Sequence, residues 1–140
     1  MEKLIKYFGK ESQTLLGSLL QYGFSEKLIK GAEKLGVIET KDSMVYLLKK
    51  EDPKNYAIIT KDSISEGEYN DRVLELSTEG DVKKRFMLYD DDDILYYTGY
   101  FWDDDDCDNQ QDLYDWGMYD SGCTKLKVAV GNGKFEFEIC

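Results

Sequence analysis

Apolar positions in ESQTLLGSLLQYGF recur three and four apart, at Leu15, Leu16, Leu19 and Leu20. That spacing predicts an amphipathic helix with one buried stripe. Gly17 weakens this helix and Gly23 is placed to end it. Ser25 can then cap a second helix, SEKLIKGAEKLG, with Leu28, Ala32 and Leu35 on its buried side and Gly36 as its stop. Past this point the period shortens. MVYLLKK at 44–50 and NYAIIT at 55–60 are rich in β-branched and aromatic residues, with the turn-forming EDPKN between them. RVLEL at 72–76 is too short for its period to separate strand from helix end. RFMLY at 85–89 and ILYYTGYFW at 94–102 are strand candidates. In the latter, Leu95, Tyr97, Gly99 and Phe101 would share one face, and Ile94, Tyr96, Thr98, Tyr100 and Trp102 the other.

The last seventeen residues, TKLKVAVGNGKFEFEIC, place Asn132-Gly133 between two alternating runs. A two-residue type I′ turn there pairs Val130 with Phe135, Val128 with Phe137 and Leu126 with Ile139 on an apolar face. Ala129 would then face Glu136, and Lys127 would face Glu138. The predicted fold class is α+β: two short N-terminal helices packed with a mainly antiparallel sheet of about five to seven strands, ending in a β-hairpin. A chain of 140 residues suits one domain.

Charge divides that domain. Residues 1–60 hold 10 basic and 8 acidic side chains, whereas 61–140 hold 8 basic and 21 acidic. A near-neutral helical pair plus hairpin therefore precedes a strongly acidic, aromatic-rich β region. Between Phe86 and Cys123 lie 12 aspartates, 10 aromatics and no basic residue. Two runs of four, Asp90, Asp91, Asp92, Asp93 and Asp103, Asp104, Asp105, Asp106, bracket the strand candidate at 94–102. Adjacent carboxylates repel and aspartate is a poor strand former, so both runs belong at strand ends or in loops. If Thr98-Gly99 leaves the strand unbroken, the runs stand about 30 Å apart at its two ends; a break would bring them to one edge.

Several functions are disfavoured. Histidine is absent, which excludes Ser-His-Asp and Cys-His catalysis, and no phosphate-binding glycine loop occurs, so an enzyme is not expected. No apolar run is long enough to span a membrane and no basic, apolar leader opens the chain, so a cytoplasmic protein without membrane contact is expected. Three cysteines without an export signal point to reduced thiols.

Three functional readings remain. In DDDCDNQQDLYD, Asp104, Asp106, Asp108, Gln110, Asp112 and Asp115 fall at positions 1, 3, 5, 7, 9 and 12 of a calcium loop. Asn109 replaces the usual glycine and Asp115 the usual glutamate; calcium is the one cofactor this pattern admits, and otherwise the aspartates are solvated loops of a structural adaptor. Residues 12–60 also fit a winged-helix DNA-binding regulator, with Lys27, Lys30 and Lys34 on the second helix. Opposing direct nucleic-acid contact are Glu26 and Glu33 on that helix and the acidic remainder. The expectation that best accounts for the missing basic residues is an acidic surface imitating a phosphate backbone. Its partner would be a basic nuclease or nucleic-acid effector. The chain would be its inhibitor, as an immunity protein or a phage-type anti-defence (anti-CRISPR) protein. Tyr96, Tyr100, Trp102 and Trp116 would supply anchors beside the two aspartate runs.

Overall fold

The computed structural model describes residues 1–62 and 69–137. The molecule is α+β and divides into two compact units: residues 1–53 with 69–72, and residues 54–62 with 73–137. The compositional break at residue 60 falls inside a strand, and the chain leaves the first unit earlier, at Pro53.

The first unit runs α1 (Glu2–Phe8), β1 (Gln13–Leu15), α2 (Leu16–Tyr22), α3 (Glu26–Lys34), β2 (Ile38–Lys41) and β3 (Met44–Leu47). Ser25 caps α3 as expected, its Oγ accepting the Leu28 N–H at 3.1 Å. Gly23 ends α2 in a left-handed conformation, φ 118°. Leu19, Leu28, Ala32 and Leu35 are buried, but two members of the expected helical stripe are exposed: Leu15, which ends β1 rather than joining α2, and Leu20, within α2. The three strands are antiparallel in the order β1-β3-β2, Val45 facing Thr14 on one side and Thr40 on the other. MVYLLKK therefore pairs with Ile38–Lys41 across the Asp42-Ser43 turn, and not with NYAIIT, which belongs to the other sheet.

The second unit is a six-stranded sheet with one helix. Its strands are β4 (Tyr56–Asp62), β5 (Arg72–Glu75), β6 (Val82–Tyr89), β7 (Leu95–Asp103), β8 (Lys125–Val130) and β9 (Glu136–Phe137), in the order β5-β4-β7-β6-β8-β9. Helix α4 (Asp108–Ser121) packs on one face over Ala57, Ile59, Phe86, Leu88, Tyr97, Phe101, Leu126 and Val128, its Leu113 fully buried. The face predicted for Tyr97, Gly99 and Phe101 is thus the core face.

Gly99 does not break β7. It sits opposite Phe86 and Ile59, and a Cβ there would lie 2.0 Å from the Ile58 carbonyl oxygen and 2.8 Å from the Phe86 ring. The aromatic ring fills the space that the glycine leaves.

The C-terminal hairpin exists, but its register is one residue off the expected one. The Gly133 N–H donates to the Val130 carbonyl, and Gly131, φ 54°, takes the positive φ. Phe137 then faces Lys127 and Glu136 faces Val128. Because strand side chains alternate, this shift turns Phe137 away from the core, and it is 58% exposed. The expected contacts of Glu138 and Ile139 lie outside the described residues.

Candidate functional site

Each aspartate run has a structural end and a solvent end. Tyr89 and Leu95 close the β6–β7 hairpin, and the first run is its loop. The Asp90 carboxylate accepts the N–H groups of Asp92 and Ile94, both at 2.9 Å, which holds the tight turn. The Ile94 N–H, foremost, keeps the Asp90 carboxyl below its usual range. Asp93 adopts positive φ and pairs with Lys125 at 2.6 Å, and the Thr124 hydroxyl donates to Asp91. The Lys125 ammonium is raised above its usual range by the Asp93 hydrogen bond. Asp91, Asp92 and Asp93 stay exposed.

The second run begins inside the sheet. Asp103, the last residue of β7, is 4% exposed and accepts from Lys84 and from Gln110 Nε2, each at 2.6 Å. Asp104 turns its carboxylate onto the N–H groups of Asp108 (3.3 Å) and Asn109 (3.0 Å), anchoring the first turn of α4. Asp105 and Asp106 point into water. Strand β7 is continuous, so the two runs stand at its opposite ends.

The calcium-loop spacing does not survive as one coordination shell. Asp104, Asp106 and Asp108 bring one oxygen each within 4.8 Å of one another. Helix α4 begins at Asp108 and redirects the other three: Gln110 goes to Asp103, Asp112 accepts the Ser77 N–H at 2.7 Å, and Asp115 accepts from Gln111 at 2.9 Å. A calcium loop needs these positions in an extended coil, and a helix spaces them along its turns instead.

The expected aromatic anchors are mostly drawn into packing. Tyr100 is 7% exposed, Trp102 and Tyr96 are half-buried, and Trp116 lies on Tyr97 with centroids 4.8 Å apart. Cations from neighbouring strands reach several of them. Lys83 Nζ stands 4.3 Å over the Tyr100 ring and 5.6 Å from Trp102; Lys127 stands 5.1 Å over Tyr89 and 4.6 Å over Phe137. The basic-free window is a property of the linear sequence alone, because β6, which pairs with β7, carries Lys83, Lys84 and Arg85, and β8, next beyond β6, carries Lys125 and Lys127.

Helix α4 supplies what the strand does not. Asp108, Gln111, Asp115, Met118 and Tyr119 are exposed at steps of three and four residues, and Tyr119 is 94% exposed. Sequence reading passed over this helix because its apolar residues are few. The signal was Leu113, Trp116 and Gly117, the helical spacing of its inner side.

At its far end the Tyr97 hydroxyl donates to Asp120 and meets Ser121. Burial, then the Asp120 bond, pushes the Tyr97 phenol up to about 12, and burial pushes the Cys123 thiol up to about 11. Cys123 is a free, buried thiol, but Cys107 is disulfide-bonded. This corrects the expectation of three reduced thiols. Among the described residues, no helix is long and apolar enough to cross a membrane. No family model, curated protein or solved structure matches the chain.

Proposed function

We propose that this chain is an acidic inhibitor that docks on a basic, nucleic-acid-processing protein and occludes its substrate cleft. The single observation that carries the proposal is the exposure of eight of the twelve aspartates between residues 86 and 123. They cluster as Asp91–Asp93 at one end of β7 and Asp105, Asp106 and Asp108 at the other, with Asp115 and Asp120 along α4. Nine strand residues separate the clusters by about 30 Å, close to one ~34 Å turn of duplex DNA. A cleft that contacts phosphates one helical turn apart would meet carboxylates at a similar spacing. Charge would steer the encounter, and Tyr119 with Met118 offers the apolar contact that charge alone lacks. A nuclease toxin, a restriction enzyme or a CRISPR effector has such a cleft, so immunity and anti-defence roles share this surface.

The test captures partners at low salt, identifies them, and follows association as sodium chloride rises from about 50 to about 500 mM. A partner with a Lys/Arg-rich cleft, competition by nucleic acid and slowing with salt are expected. Asp105→Asn with Asp106→Asn should lower the on-rate, and Tyr119→Ala should raise the off-rate. A neutral partner, or binding indifferent to salt, would overturn the proposal.

A second reading is favoured by the connectivity of the first unit. Strand, helix, helix, strand, strand, with β1-β3-β2 pairing, is winged-helix topology, α3 in the recognition position and the β2–β3 turn as the wing. Lys27, Lys30 and Lys34 are all exposed on α3, with Lys41 at the wing. Duplex DNA binding by this unit predicts a salt-dependent anisotropy change with labelled duplex that Lys30→Ala and Lys34→Ala weaken. A flat titration at low salt would remove it.

A further inference from the structure

A cavity of about 540 Å³ opens beside the N-terminal half of α4. Asp106 and Asp108 stand in its wall with Gln110, Tyr114, Leu126 and Phe137. Gln110 is 4% exposed, and its amide has only one possible orientation. Its Nε2 donates to the Asp103 carboxylate, which accepts and cannot donate, so the other amide atom must be oxygen. That oxygen, Oε1, is buried and has no hydrogen-bond partner. A buried acceptor without a donor is costly, and a water or a ligand N–H that reached it from the cavity would relieve that cost. Asp106 and Asp108 are exposed, bring one oxygen each within 4.8 Å of each other and of one of Asp104, and favour a cation in the same cavity. Asp104 is engaged with the helix N–H groups, and Lys125 at another part of the wall is engaged with Asp93.

We infer that this cavity is a receptor for a guanidinium group on an apolar stem, presented as an arginine side chain of the basic partner. A guanidinium has enough N–H donors to serve Gln110 Oε1 and both carboxylates at once, and its plane stacks on an aromatic ring such as Tyr114. The cavity is far larger than a bare metal ion needs, and its Leu126 and Phe137 walls suit the arginine methylenes. The inference rests on the docking function proposed above and locates one anchor within it.

The full chain, labelled with ¹⁵N and ¹³C, is titrated with N-acetyl-arginine methylamide, its uncharged citrulline counterpart, the lysine counterpart and spermidine. The arginine probe should shift the Gln110 side-chain amide and the Tyr114 ring signals. The citrulline probe should bind about tenfold more weakly or worse, since charge and a donor are both lost. Asp106→Asn with Asp108→Asn, both at exposed positions, should weaken the arginine probe several-fold while the spectrum elsewhere stays folded. Gln110→Met removes the acceptor; if that variant unfolds, the aspartate pair alone decides. Equal binding of arginine and citrulline probes, no shift at Gln110, or tighter binding of spermidine would overturn the inference, the last by assigning the cavity to free polyamines. If the probe binds as expected but an isolated basic partner is held equally well by the Asp106/Asp108 variant, the cavity stands as a guanidinium site while its part in docking is overturned. Failure of the probe with partner binding intact removes the cavity and leaves the docking surface.

Discussion

Asp103 and Asp105 are two positions apart in one run, yet they meet opposite environments. Asp103 is buried against Lys84 and Gln110, whereas Asp105 is bathed in water. Removing one member of a buried pair leaves the other uncompensated, so Asp103→Ala should cost about 2–4 kcal/mol. Asp105→Ala should fall within about 0.5 kcal/mol of zero, as surface substitutions do. Urea unfolding of the two variants checks the contrast; equal effects would mean that the run behaves as a uniform acidic loop. The two raised acids near the end of α4 give a pH dependence of known sign. Tyr97 and Cys123 stay protonated in the folded chain up to about 12 and about 11, above their usual 10.0 and 9.0. Their stabilisation is complete below pH 9, and it is lost as pH rises through 9–11 for the thiol and 10–12 for the phenol. Melting temperature should fall across that range, with each group adding at most about 1.4 kcal/mol per pH unit. Cys123→Ala should flatten the lower part of the fall, and a melting temperature level from pH 9 to 11 in the parent would contradict it.

At the scale of elements, two glycines decide how the sheet is built. Gly99 admits the Ile58 carbonyl and the Phe86 ring to the centre of β7. Gly99→Ala should therefore destabilise by about 3 kcal/mol or more, because backbone and a core ring must both move. Gly131, not Gly133, has the positive φ of the last turn. Gly131→Val should cost about 1–3 kcal/mol, and Asn132→Ala much less, since Asn132 does not have positive φ. Thermal melts that rank these variants the other way would return the turn to Asn132-Gly133. The slip has a physical origin. An Asn-Gly pair favours one turn, but Gly131 allows a competing turn one residue earlier.

For the whole molecule, a formal charge of -11 sets a background repulsion that every compact state must bear. Screening should relieve it: melting temperature should rise between about 50 and about 500 mM sodium chloride, independently of any partner. Replacing Asp91, Asp92, Asp105 and Asp106 together by asparagine should raise the melting temperature at low salt and reduce that dependence. No change in either would mean that the runs are already neutralised by bound cations. Among the described residues, these four make no ion pair with a basic side chain, unlike Asp93 and Asp103. They are thus the positions where a folding cost is plainest and where a docking function would recover it.

Local chemistry in the sequence was sufficient for several features. The Ser25 cap, the Gly23 stop, strands within 44–50, 55–60, 85–89 and 94–102, and the grouping of Tyr97 and Phe101 on one face of the last all follow from neighbours within a few residues, whereas which face turns inward does not. Helix α1 carries a readable stripe at Leu4 and Phe8. Other features depend on residues far apart in the chain. Only tertiary pairing places Lys83, Lys84 and Lys125 beside a segment that has no basic residue of its own, and only sheet order assigns NYAIIT to β7 rather than to MVYLLKK. Helix α4 was hidden because its inner side is held by Asn109 and Gln110 as well as Leu113. Asn109 Nδ2 donates to the Thr78 and Trp102 carbonyls, and Gln110 to Asp103. Hydrophobic periodicity registers apolar burial; polar burial becomes legible only once the partners that satisfy it, 7 and 31 residues away, have been brought into place by the fold.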